Sequence, residues 1–188
     1  MPPNESSFIS IDPGENVGWA LWRVRRKGFQ LVDVGVCRPD SMSRGCRNID
    51  GWQRKIKSSH RKFADVAKLL ESRVGNNYVN GAVIELPEFW SGSQVGQAAA
   101  RRGDLVKLTV SVGFLWSTVL ENFFSYGGVV RFVTPTQWKG QLKKSVVIHR
   151  VKNVLRRNSR SGDCFDFDRI KTHAWDAVGI GLHDLDKF

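Results

Sequence analysis

Cysteine is scarce: Cys37, Cys46 and Cys164 are the only three in 188 residues. An odd count with no Cys-x-x-Cys pair excludes a disulfide framework and a zinc ribbon. Reduced thiols fit a cytoplasmic setting, that of a bacterial cell or, for a viral chain, of its host. Cys46 lies near Arg44 and Arg47 but has no diagnostic His or Asn neighbour, so thiol catalysis is not expected. No run reaches the ~18 apolar residues of a membrane span, and no membrane is expected as a partner. The short polar start, Met1 to Ser7, has neither the apolar core of a signal peptide nor the character of a transit peptide. Internal repeats, low-complexity segments, a P-loop and a GxGxxG segment are all missing. Acid is the scarcer charge. Eighteen Asp and Glu against 29 Lys and Arg leave a formal charge of +11, a balance that points to a polyanionic partner.

What is present is ordinary for a folded domain, with 41% hydrophobic and 25% charged residues. A chain of this size buries roughly 70% of its unfolded surface, so one domain over residues 1–188 needs neither disulfide nor metal to fold. Phe8–Ile11 reads as a strand ending near Asp12 before a Pro-Gly turn. Val17–Val24 and Phe29–Val36 read as two more strands, with Val32, Val34 and Val36 alternating onto one face. The three form an antiparallel meander. From Gly51 to Val74 the pattern turns helical, with Ile56, Phe63, Val66, Ala67 and Leu70 on one stripe. Ala82–Leu86 is a fourth strand. A helix follows from about Ser93 and weakens near Gly103, and its stripe continues through Leu108, Val112, Leu115, Val119 and Phe123. Val129–Val133 is the fifth strand. Thr134-Pro135-Thr136-Gln137 then opens a helix with Thr as N-cap, Pro at the first helical position and Gln three residues after the cap. Further helices cover Ser145–Arg156 and Thr172–Leu185. The order predicts an α/β fold: a mixed five-stranded sheet, three antiparallel strands then two parallel, flanked by helices.

Three carboxylates stand where bulk charge is not expected. Asp12 ends the first strand, where Asp before Pro-Gly also serves as turn chemistry. Glu85 lies in Ala82-Val83-Ile84-Glu85-Leu86, where an unpaired buried carboxylate is costly unless the residue ends the strand and faces solvent. Asp176 sits among small residues that let its helix approach another element closely. His173, three positions earlier, shares its face, as in an ordinary surface pair or a site. Acids gathered at strand ends in a basic chain suit hard divalent cations, which prefer oxygen ligands, and phosphodiester hydrolysis uses two such ions.

At these residues the sequence resembles the RuvC-like Holliday junction resolvases of the RNase H-like superfamily. Phe8-Ile9-Ser10-Ile11-Asp12-Pro13-Gly14 followed by Gly18-Trp19-Ala20 is similar to the family's first strand and turn. Val83-Ile84-Glu85 resembles its second catalytic strand, and Val133-Thr134-Pro135-Thr136-Gln137-Trp138-Lys139 its strand-to-helix segment. His173 to Leu182 resembles the C-terminal helix that carries the last acid. The resemblance implies an RNase H-like nuclease with Mg²⁺, or alternatively Mn²⁺, as two ions per active site. Asp12, Glu85 and Asp176 would be ligands, and His173 a ligand or the residue that orients water. It implies roles for Lys139 and Lys144 beside the scissile phosphate. It implies a homodimer making paired nicks, with the helix from Leu108 to Phe124 as the interface candidate or simply core. Where the family carries an aromatic wedge, Leu86-Pro87-Glu88-Phe89-Trp90 offers Phe89 or Trp90 in a shifted register with an extra acid.

DNA contacts follow from the charge pattern. Lys139 to Arg160 holds eight Lys and Arg and no acid, including Lys143, Lys144, Arg150, Lys152, Arg156 and Arg157. Arg54, Lys55, Lys57, Arg61 and Lys62 make a second cluster opposite the first helix's apolar stripe. Both suit phosphate contacts. Trp19, Trp22, Trp116 and Trp175 are expected in the core, and Trp52 and Trp90 at a contact surface. Asp163, Asp166 and Asp168 read as loop and cap residues. The leading expectation is a crossover junction endonuclease. Its competitors are a nuclease for other branched or flapped DNA and a non-catalytic branched-DNA binder. An actin-like phosphotransferase would need a second domain that 188 residues do not supply.

Overall fold

The computed structural model describes residues 5–14, 16–26, 28–37, 68, 72, 79–88, 104–123, 128–158, 166–167 and 170–188. Five strands form one sheet: β1 (Glu5–Pro13), β2 (Val17–Arg25), β3 (Gly28–Cys37), β4 (Val79–Glu85) and β5 (Val129–Val133). Four helices are described: α1 (Asp104–Phe123), α2 (Pro135–Trp138), α3 (Lys144–Asn158) and α4 (Thr172–Asp184). The sheet order is β3-β2-β1-β4-β5. β1, β2 and β3 pair antiparallel, and β4 and β5 add parallel, so the expected mixed sheet is observed. The expected helix over 51–74 and the start of the helix at Ser93 lie outside the described residues, except that Lys68 and Ser72 are helical. Among the described residues no helix is long and apolar enough to cross a membrane.

Strand alternation sorts the core into two layers. Ile9, Ile11, Trp19, Leu21, Ala82 and Ile84 face α1, where they meet Val112 and Leu115. Phe8, Ala20, Trp22 and Val83 face the other way, onto Val147, Val151 and Leu155 of α3 and Trp175, Val178, Ile180 and Leu182 of α4. The same alternation places Asp12, two residues beyond Ser10, and Glu85, two beyond Val83, on the α4 side. Parallel pairing sets Ile11 beside Ile84, so the two acids emerge next to each other at one end of adjacent strands.

Two expectations change. The register of β2 against β3 slips between Leu21 and Trp22, whose partners are Asp33 and Leu31. Val32 is the extra residue of this bulge, and it packs toward α1 while Val34 packs toward α4. The valines of β3 therefore do not share a face. Trp116 is not core: it is 46% exposed on the outer side of α1, one position off the Val112–Leu115 stripe. It leans edge-on against Phe132 of β5, itself exposed, with ring centroids 5.8 Å apart. Trp19, Trp22 and Trp175 are buried as expected.

Candidate active site

The site is assembled by three elements meeting the ends of β1 and β4. The first is α4, which is buried along its length from Ala174 to Leu182. It comes close because Gly18, the cross-strand partner of Asp12, has no side chain: a Cβ there would stand 2.1 Å from the His173 carbonyl oxygen. This contact hangs His173 and Asp176 over Asp12. The second is α2. Thr134 caps it, accepting from Gln137 N, while Gln137 Oε1 accepts from Thr134 N at 2.8 Å. That capping box is the one anticipated from sequence. It orients Trp138 inward. The third is the start of α3, which supplies Lys144.

Each carboxylate meets a lysine or a histidine. His173 Nδ1 lies 3.7 Å from Asp12 Oδ2, too long for a hydrogen bond, so the two pair by charge when the imidazole is protonated. Lys144 Nζ donates to Asp176 Oδ2 at 2.5 Å. Lys139 Nζ lies 3.7 Å from Glu85 Oε2, and Trp138 Nε1 donates to the same oxygen at 2.5 Å. Glu85 does end its strand, but its side chain is only 14% exposed and turns into the site, not to solvent.

Burial and crowding of like charges set the proton affinities. Burial pushes the Asp12 carboxyl above its ordinary range; contact with His173 opposes this, and the Asp176 carboxylate adds to it. Glu85 is pushed up to about 7, first by burial and then by the Asp12 carboxylate. His173 is raised, chiefly by its contact with Asp12. Glu88, partly exposed, is lowered by hydrogen bonds from the Thr136 hydroxyl and backbone N–H.

Three carboxylates and an imidazole gather at one sheet end, with carboxylates close enough to raise each other's proton affinity, a donor set of the oxygen-rich kind that hard cations prefer. An added divalent cation would relieve that repulsion, so the residues fit Mg²⁺ or Mn²⁺ by charge and hardness. Among the described residues no three His, Cys, Asp or Glu side chains stand ready-arranged to hold an ion. Asp176 is drawn to Lys144, and Glu85 to Trp138 and Lys139.

The structure brings Asp12, Glu85, His173, Asp176, Lys139 and Lys144 together. The rest of the basic run divides. Lys143, Arg150 and Arg157 are exposed. Lys152 and Arg156 lie over the rings of Trp175 and Phe167 at 5.4 and 5.8 Å, covering the core edge. Arg54, Lys57, Arg61, Phe89 and Trp90 lie outside the described residues. Two participants escape a reading of the sequence: Trp138, whose signal was its place one residue before Lys139, and Glu88, which ties the segment after β4 to α2.

No family model matches the chain, and no curated protein does. Solved structures do. RuvC from Thermus thermophilus superposes with a TM-score of 0.58 at 19% identity, covering 94% of this chain and 91% of RuvC. The same protein in complex with a Holliday junction substrate gives 0.57 at 17% identity, covering 96% and 97%. The yeast mitochondrial Holliday junction resolvase Ydc2 gives 0.59 at 12% identity, covering 94% of this chain and 75% of that one. The chain has the RuvC-like version of the RNase H-like fold.

Proposed function

We propose that this chain is a metal-dependent endonuclease that cleaves four-way DNA junctions by phosphodiester hydrolysis, as a homodimer making paired nicks. The observation that carries the reading is the convergence of Asp12, Glu85 and Asp176 on one sheet end, each beside a lysine or a histidine, in a chain of charge +11. Pure phosphate binding needs cations and has no use for three acids at its centre. The fold shared with RuvC and Ydc2 supports the same reading.

Asp12, Glu85 and Asp176 would hold the ions, with His173 as a further ligand or a water-orienting group. When bound, Mg²⁺ would lower the pKa of the attacking water and stabilise the leaving oxygen. The chain's own groups do the rest. His173, 41% exposed and charge-paired with Asp12, can hold a proton at Nδ1 next to the nucleophile's approach. Lys144, 41% exposed, and Lys139 stand where a phosphate would draw them off their carboxylates and offset charge built up in the transition state. Lys143, Arg150 and Arg157 offer salt-sensitive backbone contacts. The family resemblance implies 5′-phosphate and 3′-hydroxyl ends. The exposed Trp116, Phe132 and Val129 on α1 and β5 support α1 as the dimer face.

The test is cleavage of an end-labelled four-way junction beside matched flap, fork and linear duplexes, with Mg²⁺, Mn²⁺ or EDTA. Metal-dependent, symmetric paired nicks in the junction alone support the proposal. Equal or faster cutting of flaps or forks would keep the metal site and replace the substrate with branched DNA in general. Tight junction binding without cutting under any metal would leave a non-catalytic binder.

A further inference from the structure

Glu85 is held unlike the other two acids. Its contacts with Trp138 and Lys139 both fall on Oε2. A lysine ammonium swivels among partners, whereas an indole N–H is a single donor whose direction is fixed by its ring. That ring is immobilised. Trp138 is buried, its edge fills the space left by Gly179, where a Cβ would lie 2.5 Å from Cζ3, and Phe188 packs against it edge-on at 5.6 Å. The Lys139 ammonium sits 4.7 Å from the ring centroid. The helix beneath is pinned as well. Beyond the capping box, Glu88 accepts from Thr136 N at 3.0 Å and Thr136 Oγ1 at 2.5 Å. Glu85 and Glu88, three residues apart, thereby hold the same short helix at two points, Trp138 and Thr136. Filling the core at position 138 would need only a ring; the N–H serves Glu85.

We infer that Trp138 is a positioning residue: its indole N–H occupies Oε2 of Glu85 and so presents Oε1 to the divalent cation. The inference rests on the metal-dependent reading above. Partners of this kind set ligand orientation, and losing one costs about 10–100-fold in metal affinity.

The test is Trp138→Phe, which keeps a ring against Gly179 and Phe188 and removes the donor. Calorimetric titration of the protein alone with Mg²⁺ should show affinity about 10–100-fold weaker than wild type. Junction cleavage should recover toward the wild-type rate at saturating Mg²⁺. Unchanged Mg²⁺ affinity in a folded variant overturns the inference. Should the variant fail to fold, the wild-type chain supplies the second measurement. The indole ¹H–¹⁵N resonance that moves in Glu85→Gln must also move when Mg²⁺ is added to wild type; no indole resonance answering to both changes overturns the inference. Wild-type protein that binds Mg²⁺, loses affinity on Trp138→Phe and cuts no branched DNA would sustain the positioning role while refuting the nuclease.

Discussion

Gly18→Ala tests how the site is built, because one hydrogen atom there separates β2 from α4. The added methyl would lie 2.1 Å from the His173 carbonyl oxygen, 2.6 Å from its carbon and 3.2 Å from Ala174 N. Ordinary carbon–oxygen contacts begin near about 3.3 Å. The obstacle is backbone, so no rotamer change relieves it, and the start of α4 must move by about 1 Å. Gly18 is the cross-strand partner of Asp12, and His173 and Asp176 ride on the displaced helix. The His173–Asp12 separation, 3.7 Å, therefore changes with it.

Two magnitudes follow. Overpacking of this kind costs about 1–3 kcal/mol, which lowers Tm by roughly 2–12 °C for a domain of this size. A misplacement of about 1 Å at reacting groups costs about 100-fold in rate. The expected variant is folded and less stable, cuts the junction about 100-fold more slowly, and still binds it through the exposed side of α3. Gly113→Ala is the matched control for adding a methyl: nothing lies within 4 Å of its Cβ, and helix propensity should raise Tm. Thermal unfolding, junction binding in EDTA and single-turnover cleavage in Mg²⁺ give the three readouts. A Gly18→Ala protein with wild-type Tm and wild-type cleavage would refute the claim that this contact sets the site.

Asp12→Asn should abolish cleavage while junction binding, read by gel shift, stays intact or tightens, because a negative charge near the phosphates is gone; loss of binding would assign Asp12 a structural role instead. Lys144→Ala should slow cleavage and lower the slope of log K against log salt by about one, and an unchanged rate and slope would remove Lys144 from the phosphate site. In EDTA, Tm should fall as pH rises. Glu85 has its folded pKa near 7 against an ordinary 4.5, so its contribution of about 3 kcal/mol is full below pH 4.5 and lost through pH 7, and raised His173 acts in the same direction. Glu85→Gln should flatten that profile in thermal melts from pH 5 to 8, and Mg²⁺ should restore wild-type stability at the upper end.

The sequence carried the parts of this molecule that are local or periodic. The short apolar runs Phe8–Ile11 and Ala82–Leu86 were enough to find two strands and the acid near the end of each, because a brief apolar run bounded by turn residues marks a buried strand without knowing its neighbour. The capping box from Thr134 to Gln137 is contained in four consecutive residues and was equally legible. The small residues around Asp176 announced a close approach, met at Gly179. What stayed hidden depends on partners far along the chain. Trp138 and Glu85 are 53 residues apart, and a tryptophan at the end of a short helix looks like core until its N–H is seen to have a carboxylate. The bulge at Val32 is set by the register against β2, and a strand's own pattern does not show it. Trp116 looked internal because aromatic content says nothing about which side of a helix is covered.

The lysines add something that neither the charge pattern nor the resemblance states. Lys139 and Lys144 belong to the eight-cation run that also holds Lys143 and Arg150, and the resemblance sets both beside the scissile phosphate. In the structure each reaches a carboxylate while its side chain stays partly exposed, Lys139 to Glu85 and Lys144 to Asp176, and His173 faces Asp12. The arrangement follows from the cost of burying carboxylates, which no nearby group but a cation or a hydrogen-bond donor can offset. A site neutralised in this way makes its lysines answer to two kinds of partner, carboxylate and phosphate. The same Lys144 that stabilises Asp176 in the protein alone would compete with a divalent cation for Asp176 and, once displaced, lie free for the scissile strand. Lys144→Ala therefore separates the two roles: tighter Mg²⁺ binding by the free protein together with slower cleavage of bound junction is the pair of changes this geometry requires.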